Sequence, residues 1–65
     1  MKSPTKGPIG LERHDTDEGA ITYEIWDFNA DTYHRICTIS DEDNRFAKHD
    51  AELIVRALNG LLFGV

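Results

Sequence analysis

Sixty-five residues with a net charge of −5 and a single cysteine, Cys37, allow one small domain and no internal disulfide. A chain this short buries only roughly 60 % of its unfolded surface, so its core must be compact and its stability modest. No apolar run approaches the ~20 residues of a membrane span, and no apolar stretch follows Lys2 and Lys6 as it would in a signal peptide, so the reading is a cytoplasmic protein.

The elements follow in chain order. Residues 1–8 (MKSPTKGP) are polar with two prolines and a glycine, and are expected to form a flexible tail before a single domain at 9–65. IGLERH (9–14) suits a short first strand, and DTDEG (15–19) a turn. In AITYEIWDF (20–28), Ile21, Tyr23 and Ile25 alternate with Thr22, Glu24 and Trp26, the period-two pattern of a strand rich in β-branched and aromatic residues. NADT (29–32) suits a hairpin loop, and YHRICTIS (33–40) a second strong strand, antiparallel to its neighbour because the connection is short. DEDN (41–44) is a polar turn, and RFA (45–47) has the composition of a short last strand.

The period then changes from two to 3.6. Asp50 is placed to cap a helix over roughly 51–59, Leu53, Ile54, Ala57 and Leu58 supply its apolar face, and Gly60 is placed to end it. The tail LLFGV (61–65) is apolar and is expected to be buried in the core or in a homodimer contact. The expected fold is α+β: a small antiparallel β-meander of three or four strands packed on one C-terminal α-helix.

Charge is distributed unevenly. Residues 10–44 carry ten carboxylates against two arginines, a net −8, whereas residues 1–9 contribute +2 and residues 45–65 contribute +1. An acidic surface displayed on an ordered scaffold attracts basic partners and repels nucleic acid and anionic membranes. The expected partner-binding residues are Asp15, Asp17, Glu18, Asp27, Asp31, Asp41, Glu42 and Asp43, most of them in turns, where side chains are free to meet a partner. Whether they share one face depends on hairpin geometry.

Other chemistries fit less well. Asp15, Asp17 and Gly19 have part of a calcium-loop spacing, but Trp26 stands where the bidentate glutamate belongs. His14, His34 and His49 are spread singly, so they read as surface or half-buried side chains and no metal or cofactor is expected. Cys37 reads as a small buried side chain in a strand, and no catalytic constellation is apparent. Trp26 and Phe28 fall on the strand face opposite Tyr23 and Ile25, as a covered second face or an aromatic anchor for a protein.

The segment HDAELIVRALN (49–59) resembles the closing helix of short phage and prophage proteins, in which a β-meander runs into a DAxLIxxALN-type helix. The matching residues are Asp50, Ala51, Leu53, Ile54, Ala57, Leu58 and Asn59. Small acidic phage-encoded proteins of this size are similar in kind to anti-CRISPR inhibitors. The resemblance covers about a sixth of the chain and carries over no functional residue. The helix pattern speaks to origin and fold and not to activity. The acidic charge, together with the likeness in kind to anti-CRISPR inhibitors, implies a non-enzymatic inhibitor from a mobile element, acting in the bacterial cytoplasm as a monomer or homodimer. Its acidic, DNA-mimic-like face would bind a basic nucleic-acid-binding surface of a host defence complex such as a CRISPR effector, with no nucleic acid bound directly. The alternatives are a phage interaction or assembly module using the apolar C-terminal end and the Trp26/Phe28 face, and an acidic neutraliser of a basic toxin.

Overall fold

The computed structural model describes residues 5–64. Three strands, β1 (Ile9–Asp15), β2 (Ile21–Asp27) and β3 (His34–Ser40), are followed by one helix, α1 (Ala47–Phe63). The strands form an antiparallel meander in the order β1-β2-β3, and the helix packs across one face, giving the α+β architecture expected.

Register fixes which side chains meet the helix. Ile9, Leu11, Arg13 and Asp15 stand opposite Asp27, Ile25, Tyr23 and Ile21, so these positions share one face. Ile25 is wholly buried and Tyr23 and Ile9 nearly so. A register shift at Ile25/Trp26 lets both Ile36 and Cys37 of β3 pack against this core.

The helix begins earlier and ends later than its sequence pattern suggested. Asn44 starts it: its backbone carbonyl accepts the Ala47 N–H, and its side-chain oxygen accepts the Phe46 N–H. RFA (45–47) is therefore turn and first helical residue, and not a strand. Asp50 is inside the helix, donating its N–H to the Phe46 carbonyl, while its carboxylate accepts from the Asn44 side chain. Gly60 is also helical. The left-handed terminator is Gly64 (φ 70°), whose N–H bonds the Gly60 carbonyl.

Ala47 and Ala51, both fully buried, let the helix approach the sheet closely, and Ile54, Val55, Leu58 and Leu62 continue that stripe. Leu53 and Ala57, expected in the core, instead lie one step round the helix and are exposed. The apolar tail is likewise split. Leu62 packs inward, whereas Leu61 is 84 % exposed and Phe63 is 53 % exposed, and Val65 lies outside the described residues. Among the described residues no helix is long and apolar enough to cross a membrane.

The stretch preceding β1 is tied to the sheet. The Lys6 and Gly7 N–H groups both donate to the Asp27 carboxylate, and the Gly7 carbonyl accepts from Asn29 Nδ2. Gly7 has φ 78° and sits so close to Phe63 and Leu62 that a Cβ there would lie 2.9 Å from the Phe63 ring. Residues 5–8 of the expected loose tail are thus anchored, while residues 1–4 lie outside the described residues.

Candidate functional site

Six of the eight expected binding residues are brought to one end of the sheet. Asp15 ends β1 and pairs with Ile21 at the start of β2. Ile21 in turn donates its N–H to Asp41 Oδ1 at 3.0 Å, and the Asp41 N–H bonds the Ile21 carbonyl at 3.0 Å. This reciprocal pair holds the β1–β2 turn, with Asp15, Asp17 and Glu18, beside the β3–α1 turn, with Asp41, Glu42 and Asp43.

Both turns are internally braced. Thr16 closes the first: its carbonyl accepts the Gly19 N–H, its N–H bonds the Ala20 carbonyl, and its hydroxyl both donates to that carbonyl and accepts the Ala20 N–H. Asp17 and Glu18 are therefore the two central residues of a tight turn whose last residue, Gly19, closes it with φ 86°. In the second turn the Ser40 carbonyl accepts the Asp43 and Asn44 N–H groups, and the Ser40 hydroxyl accepts the Glu42 N–H. Asp15, Asp17, Glu18, Glu42 and Asp43 are exposed, and Asp41 is half-buried by its structural bond. The helix N-terminus opens at this same end. Two cations border the group: Arg13, whose Nε lies 3.2 Å from Asp15 Oδ1, and Arg45, which stacks on the Phe46 ring.

The other two expected residues do not join this group. Asp31 lies in the β2–β3 turn at the opposite end, within 3.5 Å of the Lys6 ammonium. Seven-residue strands separate the two ends by roughly 20 Å, well beyond the ~8 Å screening length at physiological ionic strength. Asp27 is completely buried and cannot be displayed to a partner. Its carboxylate accepts from the Lys6, Gly7 and Asn29 N–H groups, each at 3.0 Å, and from the Thr32 hydroxyl at 2.6 Å. Burial pushes its pKa up, but these four donors outweigh that and hold it at about 2. Asp27 is a structural clasp joining the N-terminal stretch, β2 and the β2–β3 turn.

The sheet face turned away from the helix carries a second group. Trp26, Phe28 and Tyr33 form an aromatic cluster with ring centroids 5.0–6.4 Å apart. Phe28 lies over Gly10, where an added Cβ would come within 2.3 Å of its ring. Trp26 and Phe28 do occupy the face opposite Tyr23 and Ile25, and Tyr33 is the member of this cluster that the strand pattern alone did not reveal.

On the same face Glu12 and Glu24 are direct cross-strand partners, with His14 beside them. His14 Nε2 lies 3.2 Å from Glu12 Oε1 and 3.4 Å from Glu24 Oε1. Trp26 Nε1 donates to Glu24 Oε1 at 3.0 Å, and Arg35 reaches Glu24 Oε2 at 3.4 Å. The Trp26 hydrogen bond is the chief cause of a lowered Glu24 pKa; burial opposes it, and the charges of His14 and Arg35 assist. Cys37 is half-buried in β3 and burial raises its thiol pKa, which leaves it a poor nucleophile.

No protein-family model matches the chain, and no curated protein and no solved structure matches it.

Proposed function

We propose that this chain is a non-enzymatic binding protein whose acidic end docks on a basic surface of a partner protein. One observation carries the reading. Six carboxylates, from the end of β1 and from two turns, are gathered at one end of the sheet. There the reciprocal Ile21–Asp41 hydrogen bonds tie the start of β2 to the β3–α1 turn, and both turns are braced by Thr16 and Ser40. Charges fixed before contact cost less ordering entropy on binding than charges on loose loops. Complementary charge of this kind raises association rates and makes them salt-dependent.

A basic surface that ordinarily holds a phosphate backbone is a natural target, because its lysines and arginines already face a row of negative charge. In its finer form the proposal is inhibition by competition with nucleic acid, with a CRISPR effector as the partner suggested by the small size and acidic charge that the chain shares in kind with anti-CRISPR inhibitors. The experiment is competition: displacement of labelled DNA from purified nucleic-acid-binding complexes, CRISPR effectors among them, by the parent chain and by two charge-reversed variants. Those variants are Asp17→Lys with Glu18→Lys, and Glu42→Lys with Asp43→Lys. Asp41 and Asp15 stay unchanged, because the first closes the sheet and the second pairs with Arg13. Weaker displacement by both variants supports the reading, and equal displacement refutes it.

A second reading, an interaction or assembly module, draws on the exposed apolar groups away from the acidic end. Leu61 and Phe63 near the helix end and the Trp26, Phe28 and Tyr33 cluster are the surfaces it would use. Partner binding that survives both reversals and is lost on Tyr33→Ala or Leu61→Ser selects it.

A further inference from the structure

We propose that Glu12, His14 and Glu24 form a binding site for a divalent transition-metal ion of the zinc class on the open face of the β1–β2 hairpin. The three side chains come from two strands, and the register that pairs Glu12 with Glu24 brings them together. Each offers one ligand atom, and the three atoms lie within 4.8 Å of one another. Imidazole nitrogen with carboxylate oxygen is a donor set that zinc and its first-row neighbours accept.

Two of the three ligand separations match a coordination sphere. Zinc–nitrogen and zinc–oxygen bonds of ~2.0–2.1 Å place the corners of a tetrahedron about 3.3–3.4 Å apart. His14 Nε2 lies 3.2 Å from one carboxylate oxygen and 3.4 Å from the other. An ion placed beside His14 Nε2 can reach both carboxylates once Glu12 and Glu24, whose oxygens lie within 4.8 Å of each other, close on it, and its remaining position opens to solvent.

Two further observations favour a cation here. Carboxylates directly opposite each other across a strand pair repel and destabilise a sheet, and here Arg35 compensates Glu24 while the Glu12 carboxylate faces Glu24 across His14 Nε2. Outer partners orient the ligands as well. The Trp26 indole N–H takes one lone pair of Glu24 Oε1 and leaves the other for the site, while Arg35 engages the second oxygen. The site lies on the open sheet face, next to the acidic end.

The test is titration of the tag-free, chelator-stripped full chain. Zinc is followed by calorimetry and nickel by quenching of the single tryptophan, Trp26, whose indole bonds one of the ligands. The expected result is one ion per chain, with affinity falling at least about tenfold in His14→Ala and in Glu24→Gln, since loss even of outer partners costs that much at metal sites. Glu12→Gln, a change on an edge strand, gives the same loss and carries the test if His14→Ala disturbs the hairpin. His49→Ala, on the helix, leaves binding unchanged. No saturable binding by the parent at millimolar metal, or binding lost in His49→Ala and retained in His14→Ala and Glu12→Gln, overturns the proposal.

Discussion

Asn59 offers a direct test of how the helix is locked to the sheet. Its side-chain oxygen accepts the Ile9 N–H at 2.8 Å, and its side-chain nitrogen donates to the Ile9 carbonyl at 3.0 Å. One helical side chain thus occupies both backbone groups that an edge strand would otherwise leave open, across a separation of fifty residues. Asn59→Ala removes two hydrogen bonds worth ~1 kcal/mol each and leaves a partly buried donor and acceptor short of partners, about 2–3 kcal/mol in all. Alanine recovers roughly 0.5 kcal/mol through its better helix propensity, so the net loss is about 1.5–2.5 kcal/mol. A domain of this length has about 3–10 kcal/mol to lose, and each kcal/mol shifts Tm by roughly 4–8 °C. The expected fall in Tm is therefore about 6–20 °C, read by circular dichroism on heating, with a matching drop in urea midpoint. A variant melting within about 2 °C of the parent would show that the Asn59–Ile9 pair contributes nothing and that apolar packing alone holds the helix.

Three further outcomes follow from the same geometry. Ile25 is wholly buried, so Ile25→Ala should cost about 2–5 kcal/mol and leave little folded protein at 37 °C, as seen by urea titration. Asp27 has a folded pKa of about 2 against an ordinary 3.8, so the stability it supplies is fully present above about pH 4 and lost as pH falls towards 2. In Asp27→Asn this acid-induced loss should shrink while Tm at pH 7 drops, both read by thermal melts across pH. Gly10→Val should drive Phe28 off β1 and cost about 1–3 kcal/mol, with a changed Trp26 emission spectrum as the aromatic cluster opens.

The three strands were legible because alternation and β-branched residues mark them directly, and the helix because its period differs. Its limits were less legible. Ala47 and Ala51 carry no strong hydrophobic signal, yet their small size is what brings the helix against the sheet, so the buried stripe was read too late along the chain and one step too far round. Asn44 acts through a side-chain bond two residues ahead, which a pattern of apolar positions does not register.

Asp27 is buried, and its position in the sequence carries the clue. It shares parity with Tyr23 and Ile25, and an aspartate on the buried face must find donors, which here come from Lys6 and Gly7 in a stretch expected to be loose. The meeting of the two acidic turns follows from β2 being central, with both turns at the same end of it. The Asp41 bond that joins them is a matter of side-chain geometry. The Glu12–His14–Glu24 group depends on register: His14 looked isolated because its companion Glu24 lies on the next strand.

The proposal that the acidic end is the binding surface is tested most directly by the salt dependence of DNA displacement from a purified CRISPR effector. The parent chain is compared with a single variant combining Asp17→Lys, Glu18→Lys, Glu42→Lys and Asp43→Lys. The account predicts that the parent displaces DNA, that its association rate falls as salt rises, and that the fourfold reversal abolishes displacement while circular dichroism remains that of the folded parent. A folded reversal variant that displaces DNA as well as the parent does, or a parent chain that displaces none, would contradict it.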